Sequence, residues 1–457
     1  MSLRGEQPLD PHHTEKRSDM MMNRIRHAAG ATAVAAVVAL ALTACGVGTS
    51  PTEQSGELSD GDVTLRITWW GGDNRHTRTQ EAIDLFEEKY ENITVDVEFS
   101  DWTGYWDKLA TATAGGNAPD VIQMDQLYLA SYAARGGLAD LGSLSQLDTS
   151  KLPDPVLGMG QWKDTLYAMP ISTTSYGLMV NTDLVEELGT PLPDTSTWTW
   201  SDYEAWAQGV TETTGGQVHG TGPLGNEYSL QLFARQHGDE LFSADDITIQ
   251  SETLAAYFQM AFDWTQDGAS PDASIIAQNQ SLALDQGDFA TGDTPTAFNA
   301  STLVTAYSAA SGANLSIEPI PTPDGDAEGW DYFKPGMYWS VGARSAHPAE
   351  AALLVDFLVN DPDAAQVLGT ERGIPANPDV IEALAPTLTP EETKAVEFSK
   401  EREPLLGVAP SIVPNGASDI ETVLLRYRDE VLFGNQTPQD AADAMIAEVR
   451  RSITSAG

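Results

Sequence analysis

Two short stretches concentrate side chains able to hold a polar ligand: Trp70-Gly71-Gly72-Asp73-Asn74-Arg75-His76 and Asp125-Gln126-Leu127-Tyr128. Carboxylate, carboxamide, guanidinium and imidazole groups supply donors and acceptors, while an indole and a phenol supply flat apolar faces. Such a set can bind and orient a ligand; bond-breaking chemistry would need partners the chain does not place beside it. The sequence contains no Gly-Lys-Ser/Thr phosphate loop, no Gly-x-Ser-x-Gly elbow and no His-x-x-x-His pair.

The periodicity around these stretches says which elements must carry them. Leu65, Ile67 and Trp69 alternate with polar residues as a strand with one buried face, which assigns Trp69 to the core and turns Trp70 the other way. Gly71-Gly72 allow a tight turn. From Thr77 the period changes, and Ile83, Phe86 and Tyr90 share one helical face. Ile93, Val95, Val97 and Phe99 alternate again, a second helix is expected over 104–114, and a third strand over 120–124. Strand, helix, strand, helix, strand is the pattern of a parallel sheet covered by helices, an α/β architecture. Ligands of such sheets sit beyond the carboxyl ends of the strands, so Trp70–His76 and Asp125–Tyr128 are expected to form one wall of a cleft. Further on, 171–181 reads as one long strand and 315–320 as another. Helices are expected over 202–208, 228–237, 251–266, 302–310, 349–359, 363–368, 391–400, 419–433 and 438–453.

The chain has 457 residues, enough for two or three domains. It carries 67 Asp and Glu against 24 Lys and Arg, a formal net charge of -43. Nucleic acid is excluded as a partner, because phosphate binding requires clustered cations. The single cysteine, Cys45, rules out an intramolecular disulfide and a cysteine metal site. Arg24, Arg26 and His27 precede an apolar run over 28–44 ending Leu42-Thr43-Ala44-Cys45, the layout of a secretory leader. The last four residues resemble a bacterial lipobox, in which the cysteine is lipidated and anchors the protein to the outer face of the cell membrane. Residues 1–19 have no leader character, which places the expected start among Met20, Met21 and Met22. Residues 46–62, polar and without apolar period, read as a tether reaching on the order of 20–25 Å.

Several segments in order resemble one family. These are 69–141 with Gly116-Asn117-Ala118-Pro119-Asp120-Val121-Ile122, then 166–181, Lys334-Pro335-Gly336 and Glu371-Arg372-Gly373-Ile374-Pro375. They are similar to the carbohydrate-binding lipoproteins of bacterial ABC importers, and the similarity covers almost all of 63–453. The resemblance implies a two-lobed periplasmic-binding-protein-like fold of type II that closes on a sugar. It places the first lobe at 63–171 plus 292–332 and the second at 172–291 plus 333–457. It further implies a monomer without cofactor or catalysis, an oligosaccharide ligand, and an ABC transporter permease as partner. Sugar faces need flat aromatics and hydroxyls need polar groups. The candidate set is therefore Trp70, Tyr128, Tyr176, Tyr228, Tyr338 and Trp339 with Asp73, Asn74, Arg75, His76, Asp125, Glu227, Asn299, Lys334 and Arg372.

Arg75, His76, Lys334 and Arg372 would bring positive charge into the cleft of a very acidic protein, and Arg suits carboxylates. An oligosaccharide containing uronic acids is the resulting alternative to a neutral one. A secreted glycoside hydrolase would need two carboxylates about 5–10 Å apart across one bond, and no motif sets such a pair. A surface adhesin is disfavoured by the absence of repeats.

Overall fold

The computed structural model describes residues 56–280, 282–326 and 328–456. Cys45, the leader and residues 46–55 of the tether lie outside the described residues. The first five units form as the periodicity predicts: β1 (Val63–Trp70), α1 (Asp73–Lys89), β2 (Ile93–Ser100), α2 (Trp102–Ala114) and β3 (Val121–Met124); a helix outside the expected set, α3 (Gln126–Ala134), follows directly and takes Asp125 as its cap. β1 lies between β2 and β3, parallel to both. Trp69 is fully buried. Two helices start early, α2 at Trp102 rather than at 104. α1 begins at Asp73 rather than Thr77, so Asp73–His76 are its first turn and not a loop.

The lobe assignment from sequence requires a correction. The strand Tyr338–Val341, expected in the second lobe, pairs antiparallel with β3 and extends the first sheet. Trp339 and Val341 pack there with the helix Pro348–Asn360, whose Leu354, Val355 and Phe357 join Phe86 of α1 in one apolar core. The strand Thr296–Ala300, expected in the first lobe, instead pairs with Tyr176–Asn181, as does Leu315–Glu318 on the other side. The reason is apolar matching. Leu178 and Phe298 face the second core with Tyr203, Trp264 and Leu424, which belong to the helices Trp200–Thr214, Ser251–Gln266 and Ile420–Leu432.

The expected long strand over 171–181 is two strands. Ser172–Thr174 pairs with Lys334–Pro335 on one side and Ile374–Pro375 on the other, a three-stranded antiparallel sheet between the two cores. At Ser175 the ladder stops: its N–H donates to Ser301 Oγ at 3.3 Å and its hydroxyl meets Ser399 Oγ at 3.0 Å. Tyr176–Asn181 then continues in the other sheet. Lys334-Pro335-Gly336 fits this crossing because a Cβ on Gly336 would stand 2.6 Å from Ser172 Oγ and 3.0 Å from the Arg372 carbonyl. Only glycine lets the strands approach so closely.

Candidate functional site

A cavity of about 490 Å³ opens between the two cores, lined by two of the short crossing strands through Thr173, Thr174, Lys334 and Pro335. That size suits a small ligand, for which pockets of roughly 300–1,000 Å³ are usual. β3 delivers the first wall. Its last residue is followed by Asp125, which caps α3 by accepting from the Leu127 N–H at 2.9 Å through Oδ1. A strand that turns directly into a helix leaves helix donors unpaired, and a short carboxylate satisfies one of them. Asp125 Oδ2 makes no hydrogen bond among the described residues. Burial pushes this carboxyl above the ordinary range; the Leu127 N–H and Lys334 oppose the rise, while the negative Glu227 and Glu421 add to it.

The second wall comes from Tyr176, Asn226, Tyr228 and Glu421. Asn226 caps the helix Glu227–Gln236 by accepting from Ser229 N–H at 2.7 Å, and its Nδ2 donates to Tyr176 Oη at 3.1 Å. The Tyr228 hydroxyl lies 2.6 Å from the Tyr332 carbonyl and 3.2 Å from that of Thr174. Both phenols are nearly fully buried, with rings 4.9 Å apart. They are a fixed floor rather than free-standing platforms, and burial raises the pKa of each, so both stay protonated. Asn299 also lines the cavity and donates to Tyr307 Oη at 3.1 Å.

At the crossing strands the charges pair with one another. Lys334 Nζ stands 2.7 Å from Glu227 Oε2 and 5.5 Å from the Tyr228 ring centre. Gln126 Nε2, from α3, donates to the same Glu227 oxygen at 3.2 Å, spanning the cleft. Arg75 Nε is 2.9 Å from both Glu371 oxygens, and its Nη1 donates to the Trp70 carbonyl at 3.0 Å. Gly71 makes room for that side chain: a Cβ there would collide with it. Arg372 is buried, donating to Gln123 Oε1 at 3.1 Å and Thr79 Oγ1 at 2.8 Å, with its guanidinium 5.5 Å from the Trp339 ring centre.

Six of the sequence candidates therefore line the cavity: Asp125, Tyr176, Tyr228, Asn299, Lys334 and Arg372. Glu227 stands behind Lys334. Asn74 lines an adjoining cavity of about 640 Å³ that shares Thr302, Thr370, Glu371 and Gly373 with the first. The others lie elsewhere. Asp73 sits on the exposed first turn of α1. His76 Nδ1 accepts from Trp69 Nε1 at 3.0 Å and its ring stacks on Phe99 at 3.9 Å. Trp70 packs edge-on to Trp102 and Tyr105, and Tyr128 stacks on Trp106 at 3.9 Å. Tyr338 and Trp339 are core residues; the Tyr338 hydroxyl donates to the Met159 carbonyl at 3.0 Å. Thr173, Thr174, Asn226, Thr302, Glu371 and Glu421 also line the cavity and lie outside the candidate set. The run Ser172-Thr173-Thr174-Ser175 carried a signal: four hydroxyls in a segment otherwise apolar enough to be buried.

Residues 81–398 match the model of a family described as bacterial extracellular solute-binding protein. The chain belongs to that family. This solute-binding protein is 29% identical over 234 residues to an uncharacterized lipoprotein in the oleD 5' region of Streptomyces antibioticus, and 34% identical over 108 residues to the diacetylchitobiose binding protein DasA of Streptomyces coelicolor. The first match covers 48% of each chain, the second 23% of this chain and 25% of the relative, so this chain spans at most about half the length of these curated relatives. Its fold matches a periplasmic oligogalacturonide binding protein from Yersinia enterocolitica with a TM-score of 0.74 at 24% identity, over 86% of this chain and 99% of that one. The two-lobed, type II periplasmic-binding-protein-like α/β architecture expected from the sequence is thereby established. No helix among the described residues is long and apolar enough to cross a membrane.

Proposed function

We propose that this solute-binding protein is a lipid-anchored, monomeric receptor that captures an oligosaccharide outside the cell and passes it to an ABC transporter permease. The observation that carries the reading is the chemistry of the cleft. Thr173, Thr174, Asn226, Asn299 and Thr302 present hydroxyls and amides over a floor of two tyrosine rings, and Asp125 Oδ2 is available to accept from a hydroxyl. Bending at Ser172–Thr174, Lys334–Pro335 and Ile374–Pro375 would close the lobes, with binding energy favouring the closed state. The sugar-binding DasA relative agrees with this ligand class, and the lipoprotein relative with Cys45 as the anchor.

The test is a thermal-shift panel of malto-, xylo-, galacto- and galacturono-oligosaccharides with the soluble chain starting near Ser55. A cognate sugar at about 100 times its Kd stabilises by about 2.7 kcal/mol. The sugar should be recovered intact; appearance of new reducing ends would replace the transport reading with a hydrolase. Cys45→Ser is expected to move the protein from the membrane fraction to the medium, and unchanged retention would refute lipid anchoring.

A further inference from the structure

The cleft's cations are already paired, and its carboxylates outnumber them. Arg75 is held by Glu371, Lys334 by Glu227, and Arg372 by Gln123 and Thr79, with Glu371 3.7 Å from its Nη1. Four carboxylates, Asp125, Glu227, Glu371 and Glu421, stand against these three cations. Asp125 and Glu421 face the cavity with no ion pair among the described residues. Both also lie in the field of the Lys334 ammonium, which Glu227 engages at 2.7 Å, so one lysine serves three carboxylates. Around this site the whole chain is negative, at -43, which concentrates cations near the surface and repels anions.

Resting on the oligosaccharide reading, we propose that the ligand is an amino sugar, an oligosaccharide whose protonated amine lies between Asp125 and Glu421. An ammonium there supplies the missing positive charge, donates to Asp125 Oδ2, and leaves its ring hydroxyls to the amides and threonines of the cleft. A uronic-acid sugar would bring carboxylates against these two and would have to break the Arg75–Glu371 or Lys334–Glu227 pair to find a cation. The arginines and lysine that make a uronide attractive in the sequence are thus the groups that the fold has neutralised.

Calorimetry with β-1,4-linked glucosamine di- and trisaccharides, their N-acetylated counterparts, digalacturonate, the malto-oligosaccharide series and spermidine tests this. Near pH 6 the free amines should bind at least tenfold tighter than the acetylated forms. The preference should fade as pH rises through the amine pKa, about 7.7–8 for an amine beside an electron-withdrawing carbon. Asp125→Asn keeps a good helix cap and should erase the preference, and Glu421→Gln, on an exposed helix turn, should reduce it severalfold. A neutral sugar that binds while the amines bind no better overturns the cationic assignment and leaves the oligosaccharide reading intact. Tighter digalacturonate binding also overturns the cationic assignment alone. Spermidine binding as tightly as the amino sugars would show charge without sugar recognition and overturn the proposal, and silence from every sugar would overturn both readings.

Discussion

Arg372→Ala is expected to lower the stability of the ligand-free protein by about 3–5 kcal/mol, with a fall in Tm of about 4–6 °C for a chain of this length. The residue sits where the third crossing strand begins, and its side chain fastens that segment to the first lobe: to Gln123 of β3 and Thr79 of α1. Its own carbonyl accepts from Ser172 Oγ, which ties the neighbouring crossing strand to the same point. Removing the guanidinium leaves the Gln123 and Thr79 oxygens without their buried donor. It also enlarges a void of about 30 Å³ that Arg372 already borders with Trp339 and Leu358. Arg372→Lys should recover only part of the loss, because an ammonium is a point donor and cannot reproduce the planar fork. Chemical and thermal unfolding of the ligand-free variants decide the matter. An unchanged Tm with a large loss of sugar affinity would make Arg372 a ligand contact instead of a brace.

The division between brace and ligand group marks how far the sequence can be read. Alternation in β1 and β2 and the 3.6-residue period of α1 are local properties, and they located the parallel strands of the first sheet and the burial of Trp69. Asp125 at the end of β3 was legible for the same reason: the strand's direction fixes which end meets the cleft. What stayed hidden depends on partners far apart in the chain. Glu371 is 296 residues from Arg75, and nothing near Arg75 indicates that its charge is neutralised. Tyr338 and Trp339 stand in an apolar run, and whether such a run meets ligand or core is decided by which sheet receives it. Pairing with β3 made them core and exchanged two segments between the lobes. Ser175 reads as a continuation of a strand because its break is made by Ser301 and Ser399, which sequence distance conceals.

Lys334→Met should be costly in a different way, by about 2–3 kcal/mol, less than the roughly 3–5 kcal/mol for orphaning a fully buried charge because Lys334 is 21% exposed. Without the ammonium, Glu227, with a side chain only 7% exposed, keeps just the Gln126 amide among the described residues and faces Asp125 as a like charge. Glu227→Gln should cost less, about 1 kcal/mol, because Lys334 retains Asp125 and Glu421 as counter-charges. The double variant should therefore be more stable than the sum of the two losses requires, and a double-mutant cycle measures the surplus. The loss in Lys334→Met should also depend on pH with a definite sign. Asp125 is buried and its folded pKa is raised, so the folded state binds its proton before the unfolded chain does. The cost of holding it ionised is therefore present above the folded pKa and recedes as pH falls through it. Lys334 opposes that rise, so its removal lifts the folded pKa further and widens the window. The Tm gap between Lys334→Met and the parent should narrow as pH is lowered from neutral through the raised Asp125 pKa. A gap that stays constant, or grows, would mean that Lys334 acts through packing against Tyr228 and not through its charge.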